Sequence, residues 1–212
     1  MKAILSLGLI GLALSFCNIS ERLKGLSGSA ESNTSSASNS SKASKTETDV
    51  EKPRLTSEQQ SIADAAAETK WDEQGISWKL PAGWKKMDVK KETFNYSSPD
   101  LAFLLVNISP MSPDFPVDSS TQAYYDQALQ QLKNGKYENV RYLEIDGVKG
   151  VEWTEAMPEE KDGARRHQWM GYRNYLGQTQ LLNVMLSTKG TNFEKHRDDF
   201  PAIMYSMKIP KG

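Results

Sequence analysis

Few side chains in this sequence have the chemistry of a base, a nucleophile or a metal ligand, so their positions carry most of the functional information. There are two histidines, His167 and His196, and a single cysteine, Cys17. One cysteine excludes an internal disulfide framework and any zinc site built on several thiolates. His167 stands in the extended run Arg165-Arg166-His167-Gln168-Trp169-Met170-Gly171-Tyr172-Arg173. Strand alternation puts His167, Trp169, Gly171, Arg173 and Tyr175 on one face. Trp169, Arg173 and Tyr175 would there form a surface for an anionic or aromatic ligand, through guanidinium stacking and cation-π attraction. The same pattern also fits a sheet face whose long side chains cover helices and reach water only with their tips. His196, in the charged run Phe193-Glu194-Lys195-His196-Arg197-Asp198-Asp199, reads as the solvated side of a final helix.

Glu152, Glu155, Glu159, Glu160 and Asp162 make an acidic hairpin region around Met157-Pro158-Glu159-Glu160-Lys161-Asp162-Gly163. Paired carboxylates held about 5 to 10 Å apart can hydrolyse glycosides. Around a loop of this composition, solvated charges are the ordinary reading. The sequence contains no Gly-x-Ser-x-Gly elbow, no His-Glu-x-x-His helix and no phosphate-binding glycine loop. No catalytic residue, cofactor or metal ligand is therefore assigned. Lys and Arg total 26 against 27 for Asp and Glu, so there is no basic field to gather nucleic acid. The five tryptophans are Trp71, Trp78, Trp84, Trp153 and Trp169. Most read as packing, but Trp71 and Trp84 flank turns or boundaries and are expected to be partly exposed in a partner-binding patch.

The elements that position these groups begin after a targeting segment. Residues 1–17 place Lys2 ahead of an apolar stretch with no charge until Glu21, the layout of a secretory signal. The stretch is shorter than the roughly 20 residues of a comfortable membrane span, which favours a processed signal. Leu14-Ser15-Phe16-Cys17 resembles a bacterial lipobox, in which the cysteine becomes the lipidated first residue of the mature protein. Phe16 departs from that pattern, which has a small residue before the cysteine, so an uncleaved short anchor fits the same segment. Residues 18–52 are rich in Ser, Asn, Thr, Ala and Gly and have too little apolar surface to offset the entropy of ordering. They read as a disordered tether with a root-mean-square reach of roughly 30 to 35 Å.

Residues 53–70 hold a short helix, over about 57 to 69, begun by a capping box at Thr56 and Gln59. Residues 71–212 form the globular domain. Strands are expected at Ile76–Leu80, Glu92–Ser97, Leu101–Ile108, Asn139–Ile145, Val148–Met157, Arg165–Tyr175 and Gln178–Ser187. Asp146-Gly147 and Leu176-Gly177 mark hairpin turns. Apolar residues on both sides of Leu101–Ile108 and of the last strand imply burial on both faces. A helix from Ser119 turns Tyr124, Ala128, Leu129 and Leu132 to the sheet and ends at Gly135. A final helical region over about 192 to 206 is broken or kinked at Pro201. The fold class is α+β, an antiparallel sheet flanked by helices.

Three landmarks together resemble the PsbP-like superfamily. They are Ile76-Ser77-Trp78-Lys79-Leu80-Pro81-Ala82-Gly83-Trp84, Leu143-Glu144-Ile145-Asp146-Gly147-Val148-Lys149-Gly150 and Phe200-Pro201-Ala202-Ile203-Met204-Tyr205-Ser206-Met207-Lys208-Ile209. That superfamily includes photosynthetic PsbP proteins, DcrB-type bacterial lipoproteins and a eukaryotic nuclear import factor. The resemblance covers about residues 74–210 and implies an α/β/α sandwich with a non-enzymatic binding or assembly role. It transfers no functional residues, because the members share a fold and not an active site.

The functional expectation is an exported module of the bacterial cell envelope, probing the periplasm from a membrane to which Cys17 anchors it through a lipid. Its partner would be an envelope protein or a small ligand. An envelope enzyme with an unrecognised hydrolytic site is the alternative.

Overall fold

A computed structural model describes residues 50–210. Cys17, the signal and most of the tether lie outside these residues. Glu51, at the tether's end, is already part of the fold: it makes a parallel bridge to the edge strand beside Leu143, donating to the Tyr142 carbonyl at 3.0 Å and accepting from Glu144 at 2.8 Å.

Helix α1 spans Ser57–Ala65 and opens with the expected capping box. The Thr56 hydroxyl accepts from the Gln59 amide at 3.2 Å, while the Gln59 side chain accepts from the Thr56 amide at 3.1 Å. The helix is shorter than its alanine-rich sequence predicts. Ala66 turns extended, and β1 (Ala67–Trp71) follows where the helix was expected to continue. Tertiary pairing overrides helix propensity here: Trp71 pairs with Ile76 of β2 (Ile76–Leu80), and its indole enters the main core beside Trp78 and Phe94. A short turn at Asp72–Gln74 and left-handed Gly75 join the two strands.

The main sheet has seven antiparallel strands in the order β3-β4-β5-β9-β8-β7-β6. They are β3 (Lys85–Val89), β4 (Thr93–Ser97), β5 (Phe103–Pro110), β6 (Tyr137–Ile145), β7 (Val148–Glu155), β8 (Ala164–Tyr175) and β9 (Gln178–Lys189). The hairpin turns fall at Asp146-Gly147 and Leu176-Gly177. All four residues have positive φ, the mirror-image geometry that matches strand twist. Strand β3 (Lys85-Lys86-Met87-Asp88-Val89) has only Met87 and Val89 to mark a face, and an irregularity between Lys86 and Asp88 interrupts its register, so its sequence pattern is weak. It is an edge strand, where lysines discourage pairing with other chains.

Helix α2 (Val117–Lys133) begins before the expected serine cap and ends at Gly135, whose φ is 69°. It lies on one face of the sheet, across β6 and β7. The other face carries α1, the β1–β2 hairpin and the C-terminal helices α3 (Gly190–Phe193) and α4 (Asp199–Tyr205). Pro201 sits in the first turn of α4, where a missing amide costs nothing. The C-terminal stretch then bridges Lys208 to Ser77 of β2.

The main core lies under the second layer and includes Trp71, Trp78, Phe94, Leu104, Val106, Trp169, Leu182, Val184, Leu186 and Ile203. A smaller cluster of Ala128, Tyr142, Val151 and Trp153 lies under α2. The expectation that β5 and β9 are buried on both faces is corrected. Phe103, Leu105, Leu181 and Met185 are only half-buried because α2 covers β6 and β7 instead.

Candidate functional site

The register of β6, β7 and β8 gathers an ionic cluster beneath α4. Arg141 is paired directly with Glu152, and Thr154 directly with His167. Glu152 is fully buried. One of its oxygens meets Nε2 of His167 at 2.8 Å and the hydroxyl of Tyr205 at 2.6 Å, and the other meets Nε of Arg141. Arg141 also donates to the Tyr205 oxygen at 2.7 Å and to Glu51 at 2.8 Å. Burial raises the pKa of the Glu152 carboxyl. The hydrogen bonds and positive charge supplied by His167 and Arg141 outweigh it and hold the group down at about 2. Glu152 is thus an anion near neutral pH, and an ionised carboxylate only accepts. Tyr205 must therefore point its proton at Glu152, and burial beside that anion drives its own pKa well above the ordinary phenol range.

Expecting Glu152 among solvated loop charges is therefore wrong. It sits on β7, two residues after Gly150 on the inward face, and three donors converge on it. Glu155 remains at the strand end, paired with Arg166 at 2.8 Å. His167 is 6% exposed and lines a crevice of about 190 Å³ with Thr154, Phe193, Phe200, Pro201 and Tyr205.

The proposed His167, Trp169, Arg173 and Tyr175 face does lie on one side of β8, but it faces inward. Trp169 is fully buried, with its ring laid over Gly150 and Gly171 and its indole N–H donating to the Leu143 carbonyl at 3.1 Å. Arg173 is also buried. It donates to Gln180 at 3.0 Å and to the Gln74 carbonyl and side chain at 3.0 and 2.8 Å. Burial lowers its pKa to about 10, and its guanidinium lies 4.2 Å from the centre of the half-buried Tyr175 ring. These groups hold the second layer onto the sheet. They do not present a surface.

Trp71 is likewise fully buried instead of partly exposed, because its ring packs 5.7 Å from Phe94 and its N–H donates to the Lys90 carbonyl at 2.8 Å. Trp84 is half-buried and packs against the main core. His196, expected in solvent, is buried. It bridges Asp199 at 2.9 Å and Asp100 at 3.0 Å and stacks on Phe200. These two carboxylates, Asp199 foremost, raise its pKa against the opposing effect of burial.

On the opposite face, α2 and the β6–β7 hairpin enclose aromatic walls. Tyr124, Tyr137, Trp153 and Met170 border a cavity of about 200 Å³. Beyond Tyr137 an open groove of about 620 Å³ continues past Gln131, Asn134, Glu155 and Met157. Trp153 is 7% exposed, and its buried indole N–H has no hydrogen-bond partner. Sequence reasoning missed this site: Trp153 was one of five tryptophans, and Tyr137 lay before the expected start of its strand. Among the described residues no group of three or more potential metal ligands converges.

No family model and no curated protein matches the chain. Solved structures resemble it in fold. One is a protein from Bacteroides thetaiotaomicron, 12% identical over 64% of this chain and 45% of its own, with a TM-score of 0.42; the chain spans less than half of that protein. LpqN of Mycobacterium tuberculosis, involved in cell envelope biogenesis, is 13% identical over 68% of this chain and 86% of its own, with a TM-score of 0.48. Cyanobacterial PsbP from Synechocystis is 16% identical over 69% of this chain and 94% of its own, with a TM-score of 0.44. At these identities such likeness concerns the fold and says nothing of ligand or activity.

Proposed function

We propose that the protein is an exported, non-enzymatic binding module of the bacterial cell envelope, tethered through Cys17, and that the groove beside α2 is its binding surface. The observation that carries this reading is the aromatic cavity bordered by Tyr124, Tyr137 and Trp153, with an amide-lined groove beyond it. Aromatic faces at Tyr124, Tyr137 and Trp153, amides at Gln127, Gln131 and Asn134, and the Glu155 carboxylate match the mixed apolar and hydroxyl surface of a saccharide.

Calorimetric titration of the full-length chain with chitotetraose, cellotetraose and maltotetraose tests the groove. At least one is expected to bind the native protein and to bind the Trp153→Phe variant more weakly. Binding by none of them, or equal binding by the variant, removes the saccharide reading. The anchor has its own test in intact-mass analysis of the membrane fraction: a lipid-sized increment is expected on the native protein and absent from Cys17→Ser. A native mass without the increment defeats the lipid tether.

A further inference from the structure

We propose that the open half of the seven-stranded sheet binds the same half of a second copy of this chain, forming a symmetric dimer. Pairing across the sheet shows how this face is made. Asn95, Leu105, Met185 and Gln168 are successive cross-strand partners on β4, β5, β9 and β8, so their side chains point the same way. Thr93, Asn107, Asn183 and Met170 make the next such row, and Ser97, Phe103, Ser187 and Arg166 the row on the other side. Trp153 pairs with Gln168, which puts these rows on the α2 side of the sheet. Helix α2 lies across β6 and β7, however, while α3 and α4 send Phe193, Phe200 and Ile203 into the main core behind the sheet. Phe115, 5.3 Å from Tyr172 between ring centres, closes one end of the face. Among the described residues no helix packs on the rest of it.

Composition selects the partner. An antiparallel sheet face left to water is polar, whereas Phe103, Leu105 and Met185 stand half-buried on this one. The polar groups between them are amides and hydroxyls, each both donor and acceptor, so the surface complements itself. Charge is confined to the margins, with Lys85 and Asp88 on β3 beside Ser97 and Asn95, and Arg166 on β8. A charged centre would repel its own copy, while an uncharged centre with a charged rim is the anatomy of a protein interface. Helix α2 then restricts the symmetry. A two-fold axis across the strands would drive each α2 into its counterpart. An axis along β5 lays β4 over the partner's β9 and leaves each α2 beside the partner's β3 edge. The face is four strands wide at about 4.8 Å each and about 27 Å long over the eight residues of β5, so two copies bury on the order of 1,000 Å², the size a specific interface needs.

Sedimentation velocity of the full-length chain in detergent tests this face, and a concentration-dependent equilibrium between monomer and dimer is expected. Asn107 is exposed on β5, so the two copies of its side chain meet near the axis. Asn107→Glu and Asn107→Lys should each weaken the dimer at least about tenfold, because each sets like charges against one another. An equal mixture of the two variants should restore it, since opposite charges then meet. Leu176→Glu, on an exposed turn outside the face, should leave the dimer intact. The exposed position of Asn107 keeps both variants folded, which circular dichroism verifies. A native chain that stays monomeric at every concentration overturns the proposal, as does a dimer that either Asn107 variant leaves intact or a mixture of the two that stays monomeric.

Discussion

The two faces of the seven-stranded sheet handle buried polarity in opposite ways. Under α4, Glu152 is fully enclosed with an arginine, a histidine and a tyrosine, and every one of its contacts is a hydrogen bond from a donor held by a neighbouring element. Under α2, the buried surface is aromatic: Tyr125 stacks on Tyr142 at 4.1 Å and Tyr137 on Trp153 at 5.8 Å, and the Trp153 N–H is left without a partner. A charge cannot be left unpaired in such a place, whereas one neutral donor can. A neutral indole donor goes unmet on each face, Trp78 in the main core and Trp153 under α2, while the charge on Glu152 is met in full. The aromatic face stays open along a groove.

The largest break in this comparison should come from Glu152→Leu. Removing the anion leaves buried His167 and half-buried Arg141 and Tyr205 against an apolar group, and about 3–5 kcal/mol of stability should be lost in urea denaturation. A loss below about 1 kcal/mol would show that the cluster is not the tightly paired unit described. Next come Gly150→Ala and Gly171→Ala. A Cβ at either position would lie 2.5 Å from the Trp169 ring, so each change should cost about 1–3 kcal/mol by displacing the indole. Near-native stability of both variants would mean that the ring has room to shift.

Acid should test the ionic face in a smaller, graded way. The carboxyl of Glu152 is depressed from an ordinary 4.5 to about 2, so its contribution is complete above 4.5 and disappears as pH falls toward 2. The slope of stability against pH across that window should flatten in Glu152→Gln. His196 works in the opposite direction. Its pKa is raised above 6.5 by Asp199 and Asp100, so its contribution is whole below 6.5 and is lost as pH climbs through the raised value. Denaturation midpoints from pH 6 to 9 should decline less in His196→Gln than in the native chain, and parallel curves would contradict the assignment. Trp153→Phe should have the smallest effect on the fold, within about 1 kcal/mol, because lost packing is offset by removal of an unmet donor. A large loss there would turn the aromatic face from a binding surface into a structural one.

Part of this comparison could be read from residue order. Alternation correctly groups His167, Trp169, Arg173 and Tyr175 on one face of β8, but it carries no sign for inside or outside. Arg141 was legible in principle, because counting outward from the Asp146-Gly147 turn sets it opposite Glu152, whereas Tyr205 lies 53 residues from Glu152. No local pattern links Tyr205 to a strand so far away. Glu152 itself was misread because a cluster of carboxylates beside a Pro-Glu-Glu loop has the composition of solvated surface.

What the sequence determined by itself are the features with local causes: the capping box at Thr56 and Gln59, the two hairpin turns, the sharing of one face of β8 by His167, Trp169, Arg173 and Tyr175, and the stop at Gly135. Each depends on contacts within a few residues. Tertiary structure alone decided that β1 would leave its helix to bury Trp71, that Glu152 would be an interior anion, and that Tyr205 would reach it from α4. Those outcomes depend on which strand lies beside which and on where α4 lands. They are energies of pairing across distances in the chain that no local window contains.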